Sequence, residues 1–157
     1  MLRYRMQTLL EMRERAEEGA RLAFSEAMQA LARATQEQKR LQDALERRER
    51  ERKERVDAYL ENLLARGADI QGMNTMYSFE ARLKDEEAQV ALDLEKQELA
   101  VNQAGKRVEQ RRMELAEATR QLQAIEKHKE KWCRELKAER DKREELIQEE
   151  SGNTRRR

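Results

Sequence analysis

None of the 157 residues is proline, and an apolar pattern repeats every seven residues through the second half of the chain. Together these features leave little but long paired helices. Proline breaks a helix interior, so its absence removes the strongest local stop signal. Take Leu83, Val90, Gln97, Ala104, Arg111, Ala118, Ile125, Trp132, Glu139 and Leu146 as one heptad position. With Glu87, Leu94, Val101, Val108, Leu115, Leu122, Lys129, Leu136 and Arg143 as the other, 13 of 19 residues are apolar. Two apolar positions per seven residues describe a coiled-coil seam. The first half follows the same 3-4 spacing through Ala20, Phe24, Ala27, Leu31, Ala34, Gln38, Leu41 and Leu45.

Composition agrees with this pattern and excludes its rivals. The chain is 43% charged, 38% hydrophobic and 4% aromatic, too few apolar and aromatic side chains to fill a layered globular core or wall a deep pocket. Disorder needs high net charge or structure breakers. Here 34 Lys and Arg nearly cancel 33 Asp and Glu, and the uncharged balance is rich in Ala, Leu and Gln, which lose little entropy in a helix. Near-neutrality also leaves no global field to recruit nucleic acid or an anionic membrane. The N-terminal run Met1-Leu-Arg-Tyr-Arg5 lacks the continuous apolar core of a signal peptide. No stretch is apolar over the length of a membrane span. The single Cys133 suits a reducing compartment, so a cytoplasmic location is expected.

The first helix carries one interruption, the ten consecutive charges Glu46 to Arg55. Glu46 to Arg50, Glu49 to Lys53 and Glu51 to Arg55 are acid-before-base pairs at i,i+4, which support a helix without a seam. From Arg52 to Val56 the seam steps by four where three is due, a phase shift expected to unwind the supercoil locally as a bend or splay. The pattern resumes at Val56, Tyr59, Leu60 and Leu63.

Helix-favouring composition lapses only between Arg66 and Thr75, where Gly67 and Gly72 both fall as helix breakers. Gly67 fits a C′ glycine, and Asn74 or Thr75 fits the cap of the next helix. The expected fold is therefore all-α: a long antiparallel two-helix coiled-coil hairpin over residues 1–150. Helix one covers about 2–65, the loop about 66–75 and helix two about 76–150, with 151–157 a flexible basic tail. Two such helices make a rod on the order of 100 Å long at 1.5 Å per residue. A loop of this length is too short to pass back over the rod, which makes the helices antiparallel neighbours.

Signatures of catalysis are absent from the sequence. There is no phosphate-binding loop, and Gly105-Lys106 lacks the glycine that should precede it. His128 and Cys133, spaced i,i+5, point roughly 140° apart on a helix and cannot share a metal. No enzymatic activity, cofactor or metal is expected. Trp132 sits at a seam position, where its ring either fills the helix interface or stays partly exposed as a partner's anchor. The loop end concentrates apolar and aromatic residues, among them Tyr59, Leu60, Leu64, Ile70, Tyr77, Phe79 and Leu83. They form either a small cap or a docking surface. Basic residues gather at both chain ends, with Arg3, Arg5, Arg13 and Arg15 at one and Arg155, Arg156 and Arg157 at the other. An antiparallel hairpin brings these ends together as a positive tip, suited either to solubility or to an acidic protein surface.

These residues resemble the small coiled-coil stalk proteins of type III export, flagellar FliJ and its injectisome counterpart YscO. The resemblance rests on the basic start Met1-Leu-Arg-Tyr-Arg5, the two-helix layout and the apolar loop followed by Phe79-Glu-Ala-Arg-Leu83. It also rests on the charged segment Glu126-Lys-His-Lys-Glu-Lys-Trp132 of the second helix. It implies a noncatalytic central stalk whose terminal helices insert into the hexameric export ATPase, promoting its assembly and activity. The hairpin end would meet the cytoplasmic ring of the export gate, at the inner membrane but not in it. Phe79 and Leu83, with Leu60 and Tyr59, are the implied gate contacts, although Arg52 and Val56 stand where the family places aromatics. Arg3, Arg5, Arg13, Arg15 and Trp132 are the candidate ATPase contacts. Export chaperones are implied as further partners; nucleic acid and direct membrane insertion are not. The alternatives are a scaffold or chaperone-escort adaptor without ATPase contact, and a self-assembling filament protein.

Overall fold

Two α-helices carry the chain in a computed structural model that describes residues 3–157: α1 over Gln7–Arg66 and α2 over Ile70–Arg155. Met1 and Leu2, and with them the start expected for helix one at about residue 2, lie outside the described residues. The helices pair as a coiled-coil hairpin. They contribute to two compact units, a terminal unit of Met1–Phe24 with Arg111–Arg157 and a hairpin-end unit of Ser25–Gln110.

Within the hairpin-end unit the helices run antiparallel. The Ala34 carbonyl accepts a hydrogen bond from Gln97 Nε2 at 2.9 Å, Arg48 reaches Glu86 at 3.5 Å, and the Tyr59 and Phe79 rings stack 6.2 Å apart. The terminal unit is antiparallel as well, with Gln7 opposite Lys129 and Arg13 opposite Gln121.

The heptad register read from the sequence matches the burial. From Leu83 to Trp132 at one position, and from Glu87 to Leu136 at the other, every seam residue is half-buried. Among the described residues burial is rare, with Tyr4, Leu10, Ala27 and Met76 the buried apolar ones. A helix with one neighbour covers a single stripe, and each seam side chain keeps an open flank. Beyond Leu136 the seam positions Glu139, Arg143 and Leu146 are exposed, as is every residue from 137 to 157.

Four expectations need correction. First, α1 begins at Gln7, because residues 3–6 form a turn whose Tyr4 carbonyl accepts the Gln7 N–H at 3.1 Å. Second, the loop is three residues, 67–69, and the cap of α2 is Asp69. Its carboxylate accepts the Gly72 N–H at 2.8 Å and its carbonyl the Met73 N–H at 3.1 Å. Asn74 and Thr75 lie inside α2, where the Thr75 hydroxyl donates to the Gln71 carbonyl. Third, α2 continues through Ser151, Gly152 and Asn153 to Arg155, with the Thr154 hydroxyl bonded to the Glu150 carbonyl. One interior glycine costs only about 1 kcal/mol and does not stop a helix. Fourth, the three expected i,i+4 pairs of the charged block do not form, and two of its arginines, Arg48 and Arg52, reach across to α2. Arg52 Nε bonds Glu87 at 2.6 Å and its Nη1 lies 4.0 Å from Glu80.

Gly67 is as expected. Its φ of +87° is the left-handed conformation that ends α1.

Candidate functional site

The hairpin end is built by the turn just described. Gly67 reverses the chain, Asp69 starts α2, and Gly72 leaves room for the side chains of Leu63 and Asp69. A Cβ at residue 72 would lie 2.6 Å from both Leu63 Cδ1 and Asp69 Oδ1. Behind the turn, Met76 is buried, and Tyr59, Leu60, Phe79 and Leu83 are half-buried in the helix interface. Arg82 places its guanidinium 5.5 Å from the Phe79 ring centroid and screens it further. The outward apolar residues are others: Leu64 at 62% exposure, Ile70 at 83% and Tyr77 at 57%. From Ile70 to Phe79 no residue is charged, in a chain where nearly every other residue is. The candidate gate contacts are thus mostly the support of this end, and Leu64, Ile70 and Tyr77 are its surface.

Next to it lies a polar seam layer. Arg52 and Glu87 occupy seam positions with side chains only 18% and 12% exposed, and Glu80 adds a second carboxylate. Lys84, 3.1 Å from Glu80, balances the second carboxylate, and the hydrogen-bond geometry of Arg52 and Glu87 fixes which residues of α1 and α2 lie opposite one another.

The terminal unit presents different chemistry. Tyr4 folds back from the N-terminal turn onto α2 and is buried, with its hydroxyl 2.6 Å from His128 Nδ1 and its ring 5.1 Å from that of Trp132. Trp132 is half-buried in the helix interface, packed against Tyr4 and partly open to solvent. Arg13 is half-buried too and donates to Gln121, which in turn donates to Glu117 at 3.1 Å. Glu17 is buried and pairs with Arg21. Arg3, Arg5 and Arg15 are exposed. The C-terminal arginines do not join them. Arg155 lies 23 residues beyond Trp132 on α2, about 35 Å at 1.5 Å per residue, so the expected single positive tip does not form.

A family model, the YscO-like protein model, matches residues 1–155. The chain belongs to the YscO-like family. A solved structure described as a YscO homolog, CT670 from Chlamydia trachomatis, aligns with a TM-score of 0.78 at 20% identity. It covers 98% of this chain and 94% of that one. That likeness shows a shared fold. No curated protein matches the chain.

For a YscO-like protein the informative misses are Tyr4, Glu17 and Asp69. Running the 3-4 spacing backwards from Ala20 lands on Glu17, Arg13 and Leu10, so a signal for the first buried charge was present. It then lands on Met6, which is exposed, because α1 has not begun there and Tyr4 takes the inward place. Among the described residues no group of three or more His, Cys, Asp or Glu could hold a metal, and no helix is long and apolar enough to cross a membrane.

Proposed function

We propose that this YscO-like chain is the noncatalytic central stalk of a type III protein export apparatus. In this reading the terminal unit inserts into the hexameric export ATPase and promotes its assembly and activity. The hairpin end contacts the cytoplasmic ring of the export gate. The observation that carries it is the chemical difference between the two units of one hairpin. The terminal unit offers exposed arginines, Arg3, Arg5 and Arg15, beside the Tyr4–Trp132 pair. The other end offers an uncharged surface of Leu64, Ile70 and Tyr77. A chain that links two different partners needs such a difference, because the same surface chemistry at both ends would not discriminate between them.

The mechanism is binding-linked assembly. A protein that contacts several ATPase subunits favours the ring over free subunits and so raises turnover per subunit. The stalk itself hydrolyses nothing and works in the cytoplasm, peripheral to the inner membrane.

The test is ATP turnover of the cognate export ATPase titrated with this protein, with sedimentation of the mixture to count assembled rings. Stimulation with ring formation is expected. No stimulation and no co-sedimentation would leave the second reading, a coiled-coil scaffold or chaperone-escort adaptor. That reading draws on Leu92 and Leu99, 44% and 63% exposed on the side of α2 opposite the seam, where an escorted protein would find apolar purchase along the helix.

A further inference from the structure

The near-zero net charge of this chain conceals a sorting of charge around α2. In the terminal unit the seam residues Leu122, Ile125, Lys129, Trp132 and Leu136 are half-buried. A residue five after one seam position and two after the other stands roughly 140° to 160° from both, on the outer face. Arg120, Lys127 and Arg134 occupy that place in three consecutive heptads, and Lys131 and Lys137 adjoin them. All five are exposed. Of the four carboxylates of the same stretch, Glu126 and Glu135 flank the seam and Glu117 and Glu130 share the outer side, which sets two carboxylates there against five cations. Summed along the sequence these charges almost cancel, but around the helix they do not.

The cations of this face are also weakly engaged. Arg120 meets Glu117 at 3.1 Å and Lys131 meets Glu135 at 3.9 Å, in pairs whose side chains are all more than half exposed. Such pairs contribute little and exchange readily for another carboxylate. Lys127, Arg134 and Lys137 have no carboxylate within 4.0 Å among the described residues.

We propose that this outer face of α2 is a docking stripe for an acidic protein surface, one presenting carboxylates at about one per helical turn. Charge complementarity identifies the partner. An anionic membrane would call for large apolar side chains beside the cations, and between Arg120 and Lys137 the rest of this face is Gln123, Ala124 and Glu130, with Met113 a full heptad before Arg120. A nucleic acid would bring continuous phosphates against Glu130 and the flanking Glu126 and Glu135. Discrete carboxylates on a protein can interleave with them. The inference rests on the placement of charge around α2 and not on the ATPase reading.

The experiment is a fluorescence anisotropy titration of labelled deca-glutamate with the full chain, at low and at moderate salt. The triple variant K127E/K131E/R134E is compared with K39E/R50E/K53E, which changes net charge equally at exposed residues of the hairpin-end unit. The stripe variant is expected to weaken binding about tenfold and the control less than about twofold, with salt weakening the wild type. The neutral variant K127Q/K131Q/R134Q adds no like-charge repulsion along α2 and should fall between them at unchanged helix content by circular dichroism. Equal losses in both triple variants would overturn the stripe, as would a wild type that does not bind the peptide. Tighter, stripe-dependent binding to phosphatidylserine vesicles or to a single-stranded oligonucleotide would overturn the assignment of the partner as a protein.

Discussion

The Tyr4 hydroxyl and His128 Nδ1 lie 2.6 Å apart across 124 residues of sequence. This contact ties the turn before α1 to the middle of the charged segment of α2. The Tyr4 ring also meets Trp132, so hydrogen bond and ring packing act on one side chain. Tyr4→Phe removes only the bond and is expected to cost about 1 kcal/mol. Tyr4→Ala removes the ring as well and is expected to cost about 3 kcal/mol. Trp132 emission should shift towards the red in the alanine variant and hold its position in the phenylalanine variant. An unshifted alanine variant would mean that Tyr4 does not cover Trp132.

The Arg52–Glu87 layer makes a prediction of opposite sign for single and double substitutions. Arg52→Leu leaves Glu87 at the seam without its cation, while Glu80 keeps Lys84 at 3.1 Å, and Glu87→Leu leaves Arg52 with the more distant Glu80. Each single change is expected to destabilise by about 1–3 kcal/mol, because an unpaired, largely covered charge keeps its desolvation cost. The double variant Arg52→Leu with Glu87→Leu restores an apolar seam and should be as stable as the wild type or more so. Thermal unfolding of the three variants followed by circular dichroism measures this. A double variant as unstable as the worse single one would show that the layer stabilises as a pair.

This layer also marks how far the sequence was legible. The seam from Leu83 to Leu136 was readable because a seven-residue period accumulates evidence over many turns, and each member need only be apolar on average. Arg52 and Glu87 were readable as seam positions but not as partners. Their pairing depends on which residue of α1 stands opposite which of α2, and that register is fixed across the hairpin by contacts distant in sequence. At the turn, two glycines marked the place but not the boundaries. Gly67 acts through its own backbone angle, a local property, whereas Gly72 acts by leaving room for Leu63, a tertiary one. Reading both as breakers moved the expected start of α2 six residues too late. The surface at the hairpin end depends on the phase of α2 once it starts at Ile70, and that start was the element misplaced.

The turn residues therefore separate by mechanism. Gly67→Ala forces a side chain into φ +87° and is expected to cost about 1 kcal/mol with nothing else disturbed. Asp69→Ala frees the Gly72 N–H and is expected to cost about 1 kcal/mol, restored in large part by Asp69→Asn or Asp69→Ser. Gly72→Ala meets only the movable tips of the Leu63 and Asp69 side chains and gains about 1 kcal/mol of helix preference, so it should cost less than either. Chemical denaturation of the set ranks them, and a Gly72→Ala cost above both would show that Leu63 and Asp69 do not give way.

Glu37 supplies a prediction in pH. Its carboxylate accepts two hydrogen bonds from Arg40, at 2.9 and 2.5 Å. This bonding, with the smaller pull of the guanidinium charge, holds its pKa below the ordinary carboxylate value. A depressed pKa contributes stability above the unfolded-state value and loses it as pH falls through the folded one. Carboxyl chemical shifts followed against pH should show Glu37 titrating below the ordinary carboxylate value, and Arg40→Gln should raise it. An identical Glu37 titration in the wild type and in Arg40→Gln would show that the pair does not persist in solution.

The hairpin end offers the most direct test of the gate contact. Leu64, Ile70 and Tyr77 are exposed and make no large contribution to packing. Substituting each by serine should leave thermal stability within about 0.5 kcal/mol of wild type, as surface changes do. Phe79 and Leu83 are half-buried against α1, and their alanine variants should destabilise by about 1–3 kcal/mol. If the end docks on the export gate through its outer surface, the serine variants lose affinity for the gate's cytoplasmic ring at unchanged stability, and added salt has little effect because residues 70–79 carry no charge. Isothermal titration with the isolated ring domain distinguishes the cases. Loss of affinity confined to Phe79→Ala and Leu83→Ala, with both still folded, would mean that α1 and α2 must part at this end before the gate is bound. Full affinity in all five variants would remove the hairpin end from the gate contact and place that contact elsewhere along the helices.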